Sequence, residues 1–235
     1  MLRNLLKGVT NSVNLKIGCL VAIMVLAGCA QGPRTADNNS GSGKPRNGWL
    51  QPPQSGANNH TGTPVAYNDY IRQAANSYGV DETLIKAIIQ VESGFNPNVV
   101  STSNAVGLMQ LKASTAGRDA YRMKGKNGQP SSRELKDPAV NIDLGTAYIN
   151  IIQNQQLAGI NNPQTLRYAT IVSYVNGTGA MLRTFAQDKR VAVNRINQMS
   201  PEAFYQHIQR NHPAPQAPRY LWKVNTAYQA MAMQQ

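Results

Sequence analysis

Cysteine, histidine and acidic residues are all scarce in this chain, and each scarcity removes a class of chemistry. The two cysteines, Cys19 and Cys29, both fall within the first thirty of 235 residues. No disulfide can therefore staple the body of the chain, and a cysteine-rich zinc site is excluded. Of three histidines, His60 stands in a polar stretch, while His207 and His212 lack a neighbouring carboxylate set of the kind a hydrolytic metal needs. No Gly-x-Ser-x-Gly elbow accompanies them for serine catalysis, and no glycine loop of the phosphate-cradling kind is present. Eleven Asp and Glu stand against 23 Lys and Arg, a formal charge of +12 that suggests an anionic partner. Charge alone does not choose among nucleic acid, a membrane surface and an anionic polymer. A hydrophobic content of 41% in this length supports one sizeable core, or a modest core and a tail, and excludes a large multidomain machine.

What is present begins with an address. Residues 1–16 carry Arg3, Lys7 and Lys16 with no acid, and Ile17 to Ala27 is an apolar or small run of eleven. A basic start, a short apolar stretch and small residues describe a secretory signal peptide, and eleven residues are too few to span a bilayer that needs about twenty. Its ending, Leu26-Ala27-Gly28-Cys29, resembles the bacterial lipobox, which implies cleavage before Cys29 and acylation of its thiol. Ala30 in place of Asp is similar to the sorting signal for the outer membrane. Removal of residues 1–28 leaves 20 basic against 11 acidic residues, +9, and no free thiol.

Between Ala30 and Val65, six Gly and five Pro are interleaved with Asn and Ser. Such a segment cannot bury enough apolar surface to offset its ordering entropy, so residues 29–65 are expected to be an acylated, disordered tether. Beyond it, residues 66–235 read as a single, mainly α-helical domain. Asp81 caps a helix over Glu82 to Ser93 that Gly94 and Pro97 end. Further helices are expected over 138–157, from Pro163 to about Val175 with Gly177 and Gly179 as stops, from Pro201, and from about Arg219 to Met233. No period-2 strand stands out, although 121–130 has room for a small hairpin.

Within the first of these helices Glu92 shares the face of Ile85 and Ile88. A carboxyl group set against apolar side chains has its charged form disfavoured, so its pKa rises and it can protonate a leaving oxygen near neutral pH. Periodicity leaves a second reading equally open, a structural Glu paired with one of the many basic residues.

The residues around Glu92 resemble a known family. Glu92-Ser93-Gly94-Phe95-Asn96-Pro97, then Ser101-Thr102-Ser103-Asn104-Ala105-Val106-Gly107-Leu108-Met109-Gln110, is similar to the signature of the family 1 lytic transglycosylases, murein-cleaving enzymes with a goose-type lysozyme fold. Ser173-Tyr174-Val175-Asn176-Gly177 resembles that family's Ala-Tyr-Asn motif, and Pro218-Arg219-Tyr220 its late tyrosine motif. Together the four cover the chain from about residue 67 onward. Residues 104–115 and 210–220 resemble more narrowly an endo-acting, lipid-anchored branch. Three positions depart from the wider pattern: Asn104 for Gly, Val175 within Ala-Tyr-Asn, and Lys112 near a usual Pro.

The resemblance implies a fold, a reaction and roles. The fold would be lysozyme-like, without cofactor or metal. Glu92 would protonate the β-1,4 bond between MurNAc and GlcNAc, then take the proton of the muramoyl C6 hydroxyl as it closes on C1 into a 1,6-anhydro end. Ser101 and Ser103 would bond the N-acetyl group or a water, or else only their own loop. Gln110, Tyr174 and Asn176 would line the sugar groove and Tyr220 would close over the acid, while Leu108, Met109, Tyr121, Phe185 and Phe204 would be packing residues. The partners would be murein glycan strands and, through Cys29, outer-membrane lipid; nucleic acid is not expected of an exported protein whose basic residues are scattered. No Asp or Glu lies between Glu92 and Asp119, which is compatible with one-carboxylate chemistry. A lysozyme-like hydrolase and a non-catalytic murein-binding lipoprotein remain the alternatives.

Overall fold

A computed structural model describes residues 65–234, and the structure follows from the capping signals of the sequence. The signal peptide, Cys29 and the tether up to residue 64 lie outside the described residues. Helix α1 (Val65–Tyr78) leads into α2 (Glu82–Ser93), where the Asp81 side chain accepts the Thr83 N–H at 2.8 Å. Gly94 ends α2 at φ +58°, in the left-handed region that glycine enters without a Cβ clash. Phe95 follows at φ +64° with its ring buried, so the chain turns sharply just beyond Glu92.

The hairpin lies elsewhere than expected. Residues 121–130 hold the end of helix α3 (Arg118–Met123) and turns, whereas the antiparallel pair is β1 (Ala105–Val106) with β2 (Leu111–Lys112), inside the Ser101–Gln110 motif. Gly107 at φ +81° and Gln110 at φ +46° make the reversal, with the Gln110 N–H donating to the Gly107 carbonyl. Strands of two residues leave no period to read. A π-helical turn at Ala113–Gly117 then joins β2 to α3.

Helices α4 (Ser132–Lys136) and α5 (Pro138–Ile151) come next, and α5 is the central strut. Asn141, Ile142, Asp143, Leu144, Gly145, Thr146 and Ala147 are all buried, so apolar and small residues surround it on every side. It packs on α1, α3 and α4. The helix expected through residue 157 instead widens at Ile152–Gln156 into a π-helical turn. Tyr78, Asp143 and Lys124 tie α1 and α5 to the residue that follows α3: the phenol donates to Asp143 at 2.8 Å, and the Lys124 ammonium lies 2.7 Å from the same carboxylate.

Pro163 opens α6 (Pro163–Asn176), and Gly177 closes it as expected. Gly179, read as a second stop, instead lies inside α7 (Thr178–Arg183), because Gly177 alone completes the reversal. After α8 (Lys189–Asn197) and α9 (Pro201–Asn211, capped by Ser200), the last helix α10 (Gln216–Ala232) starts earlier than the prolines suggested. Pro218 falls in its first turn, where no intrahelical N–H is required. Helix α10 packs on α2 and α6, and this brings Tyr220 to Glu92 across 128 residues of sequence. Leu108, Met109, Tyr121, Phe185 and Phe204 are buried in one core, as expected of packing residues.

Candidate active site

Glu92 occupies the last turn of α2, beyond the fully buried Ile88 and Ile89, with one side still open. The Tyr220 hydroxyl donates to its Oε1 at 2.6 Å. Burial pushes the Glu92 carboxyl up from 4.5 to about 7, and the Tyr220 bond, which favours the ionised form, holds it lower than burial alone would. Both protonation states are therefore accessible near neutral pH, which acid-then-base chemistry on one group requires. Burial and a phenol act on this carboxylate, and no cation pairs with it among the described residues, as the structural Glu that periodicity left open would require.

Two tyrosines face the acid. Tyr174 on α6 donates its hydroxyl to the Met109 carbonyl at 2.7 Å, and its ring leans on Tyr148 of α5 with centroids 5.7 Å apart. Burial, and next the Glu92 charge, raise both the Tyr174 and Tyr220 phenols well above their ordinary value, so each stays a neutral donor. Burial, and next the Asp119 charge, raise the Tyr148 phenol above its ordinary value.

The remaining expected residues divide. Ser101 accepts the Ala105 N–H on its hydroxyl at 2.9 Å, and its own N–H donates to the Ala105 carbonyl. Its Oγ lies 3.1 Å from that of Ser103. These bonds stay inside the loop, the role that was left open beside substrate binding. Gln110 donates its amide N–H groups to the Val99 and Gly107 carbonyls at 3.1 and 2.9 Å, bracing the turn. Asn176 has a buried Oδ1 with no hydrogen-bond partner among the described residues. The structure thus brings Glu92, Tyr174 and Tyr220 together, and places Ser101, Ser103 and Gln110 as the frame of the motif loop.

The sequence model for the transglycosylase SLT domain matches residues 69–197, more than half of the chain. The chain belongs to the transglycosylase SLT family. It is 58% identical over 159 residues to the endo-type membrane-bound lytic murein transglycosylase A of Cronobacter sakazakii, covering 68% of this chain and 78% of that one. The Citrobacter koseri protein of the same name is 57% identical over the same shares. Among solved structures, an inactive mutant of the lytic transglycosylase Slt from Pseudomonas aeruginosa superposes with a TM-score of 0.57 at 23% identity over 73% of this chain, a likeness of fold. The 70 kDa soluble lytic transglycosylase SLT70 of Escherichia coli gives 0.54 at 26% identity over 72%. The chain spans about a quarter of the length of each of these structures. The expected mainly helical, lysozyme-like fold is the fold of this family.

Three residues that hold the SLT site carried no site role in the reading of the sequence. Ser93, beside the acid, donates to the Leu108 carbonyl at 2.8 Å, with the Ile89 carbonyl at 3.1 Å. Asn141 is fully buried on α5 and holds the motif loop, and Tyr148 backs Tyr174. A signal for Asn141 was present: an amide between Val140 and Ile142 on an apolar helix demands partners. The described residues contain no group of three or more His, Cys, Asp or Glu placed to hold a metal ion.

Proposed function

We propose that the protein cleaves bacterial murein as a lytic transglycosylase, with Glu92 as its single acid and base. Protonated Glu92 donates to the oxygen of the MurNAc–GlcNAc bond, and the C1–O bond breaks as the GlcNAc hydroxyl leaves. The resulting carboxylate takes the proton of the muramoyl C6 hydroxyl, whose oxygen bonds to C1. The product is a 1,6-anhydro end, no water is consumed, and Glu92 is again protonated.

The observation that carries this reading is the company Glu92 keeps. A glycosidase working by two carboxyl groups places the second within roughly 5–10 Å of the first. A charge at that range would push the Glu92 pKa further up, and the influences on it among the described residues are burial and the Tyr220 hydrogen bond. A single carboxyl group that titrates near neutrality suits an internal hydroxyl as the attacking group, because the same group donates a proton and then takes one back. Tyr220 steadies the ionised form that the second half-reaction needs.

The mass of the cut ends tests the reaction. Digestion of purified murein should release fragments whose ends are one water lighter than hydrolysed ends, and Glu92→Gln should release none while remaining folded. Reducing ends would assign the site to a hydrolase instead; full activity of Glu92→Gln would remove this residue from the mechanism.

The name shared by the curated relatives supports a membrane-associated bacterial protein that acts on murein and cuts within strands. Anchoring of an outer-membrane lipoprotein through acylated Cys29, with residues 1–28 removed and residues 29–65 as a tether to the domain of residues 66–235, is the finer reading. Loss of membrane pelleting in a Cys29→Ala variant would be its result. The basic surface of the mature chain suits the peptide-stem carboxylates of murein.

A further inference from the structure

We infer that Asn141 is a positioning residue for the reaction: through the Leu108–Met109 peptide it sets where Tyr174 directs its proton relative to Glu92. The inference rests on the reading of Glu92 as the acid.

The geometry centres on one peptide group. Its carbonyl, Leu108 O, accepts the hydroxyl of Ser93, the neighbour of Glu92, at 2.8 Å. Its N–H, from Met109, donates to Asn141 Oδ1 at 2.7 Å. The next carbonyl, Met109 O, accepts the Tyr174 hydroxyl at 2.7 Å. Elements α2, α5 and α6 therefore meet on two residues of the motif loop. Asn141 is 0% exposed and uses its whole amide here, since its Nδ2 also donates to the Val106 and Leu135 carbonyls at 2.9 and 2.7 Å. Only a side chain with one acceptor and two donors at that place satisfies all three backbone groups; Asp, Ser and aliphatic residues leave at least one unpaired.

The backbone around it is shaped to that contact. A Cβ on Gly107 would lie 2.3 Å from Asn141 Nδ2, and a Cβ on Gly145, one turn beyond Asn141, would lie 2.2 Å from Met109 Sδ. The loop thus presses onto one face of α5 with no space for a side chain at either glycine.

The consequence concerns the Tyr174 proton. A phenol next to a carboxylate can donate to it, as Tyr220 does to Glu92. Tyr174 directs its proton to Met109 O instead, so among the described residues it leaves the donation to Glu92 to Tyr220. The titratable groups facing this arrangement are Tyr220 from α10, Tyr174 from α6 and Tyr148 from α5, with Asp119 acting on Tyr148. If Met109 O swings away, Tyr174 is released to donate to Glu92, the ionised acid is favoured, and proton donation weakens.

The test is a double-mutant cycle on murein, scored as anhydro ends per folded enzyme. Asn141→Ala should lower kcat about tenfold or more with KM changed less than about threefold, because a displacement near 1 Å at the reacting groups suffices. Its alkaline activity limb should move to lower pH. In a Tyr174→Phe background the same substitution should lower kcat less than about threefold and leave the limb in place. Equal losses in both backgrounds, an effect confined to KM, or an unshifted limb would overturn the inference. Should Asn141→Ala not fold, Asn141→Asp decides: protonated, it regains one donor, so its activity relative to the unmodified chain should rise as pH falls from 8 to 5, and a flat ratio refutes the idea. An active Glu92→Gln would sink the proposed function itself, whereas an inactive Glu92→Gln beside a fully active Asn141→Ala sinks this inference alone.

Discussion

Replacing Glu92 by Gln should make the protein more stable, and by an amount that depends on pH. The amide keeps the shape of the side chain and an Oε1 to accept the Tyr220 hydroxyl, but it removes a charge that burial disfavours. In the folded chain the carboxyl titrates at about 7, against an ordinary value of 4.5. Between those two values the folded state holds more protons than the unfolded chain, so stability falls as pH rises through the window and stays lowered above it. Two and a half pH units at about 1.4 kcal/mol each set an upper bound near 3.4 kcal/mol, and about 2–3 kcal/mol is expected once water on the open side of the carboxyl is counted. At a slope of about 2 kcal/mol per molar urea, the Gln variant should unfold about 1 M later at pH 8 and at nearly the same urea concentration at pH 4.5. Every other titrating group is common to both chains and cancels in the comparison. A difference that is constant across pH, or a Gln variant less stable than the unmodified chain at pH 8, would refute the assignment of a burial-raised acid.

Further outcomes follow from the same geometry. Tyr220→Phe removes the one side-chain bond that favours ionised Glu92, so the alkaline limb of kcat/KM should move up by about one pH unit, the equivalent of a charge-assisted hydrogen bond of about 1.4 kcal/mol; an unchanged or lowered limb would contradict the role. Gly107→Ala places a methyl 2.3 Å from both Asn141 Nδ2 and Leu135 O at a φ of +81°, and should lower unfolding free energy by at least about 2 kcal/mol in urea titrations. A loss under about 0.5 kcal/mol would show the loop to be loosely held. Binding of this basic chain, with 23 Lys and Arg against 11 Asp and Glu, to intact murein should weaken between about 0.05 and about 0.5 M salt in pelleting assays, and salt-independent binding would discard the electrostatic account.

How much of this was legible beforehand depended on the range of the interaction. Asp81, Asp137, Asn162 and Ser200 cap their helices through bonds of two or three residues' reach, and Pro138, Pro163 and Pro201 open helices at the first position, so these starts were readable. Gly94 and Gly177 were readable as stops, because each ends its helix at positive φ. The hairpin was misplaced because its strands are two residues long, and a period cannot show in two residues. The π-helical turns at Ala113–Gly117 and Ile152–Gln156 carry no sequence pattern distinct from that of an α-helix.

At the site, the sequence by itself determined that Glu92 would lie at the apolar face of a capped helix. Its order of motifs fixed the family resemblance. What it could not determine was the partner of that carboxyl, because a Lys or Arg and a tyrosine 128 positions away are equally available to an unfolded chain. Only the packing of α10 on α2 chose the phenol, and with it a titration near neutrality rather than a salt-bridged, low one. Tertiary structure likewise decided that Ser101 and Gln110 brace the motif loop, while Asn141, one of the buried polar residues of α5, holds it in place. The physical reason is common to all three: a buried polar atom must find a partner, local sequence offers several, and only the folded backbone brings one within hydrogen-bonding distance.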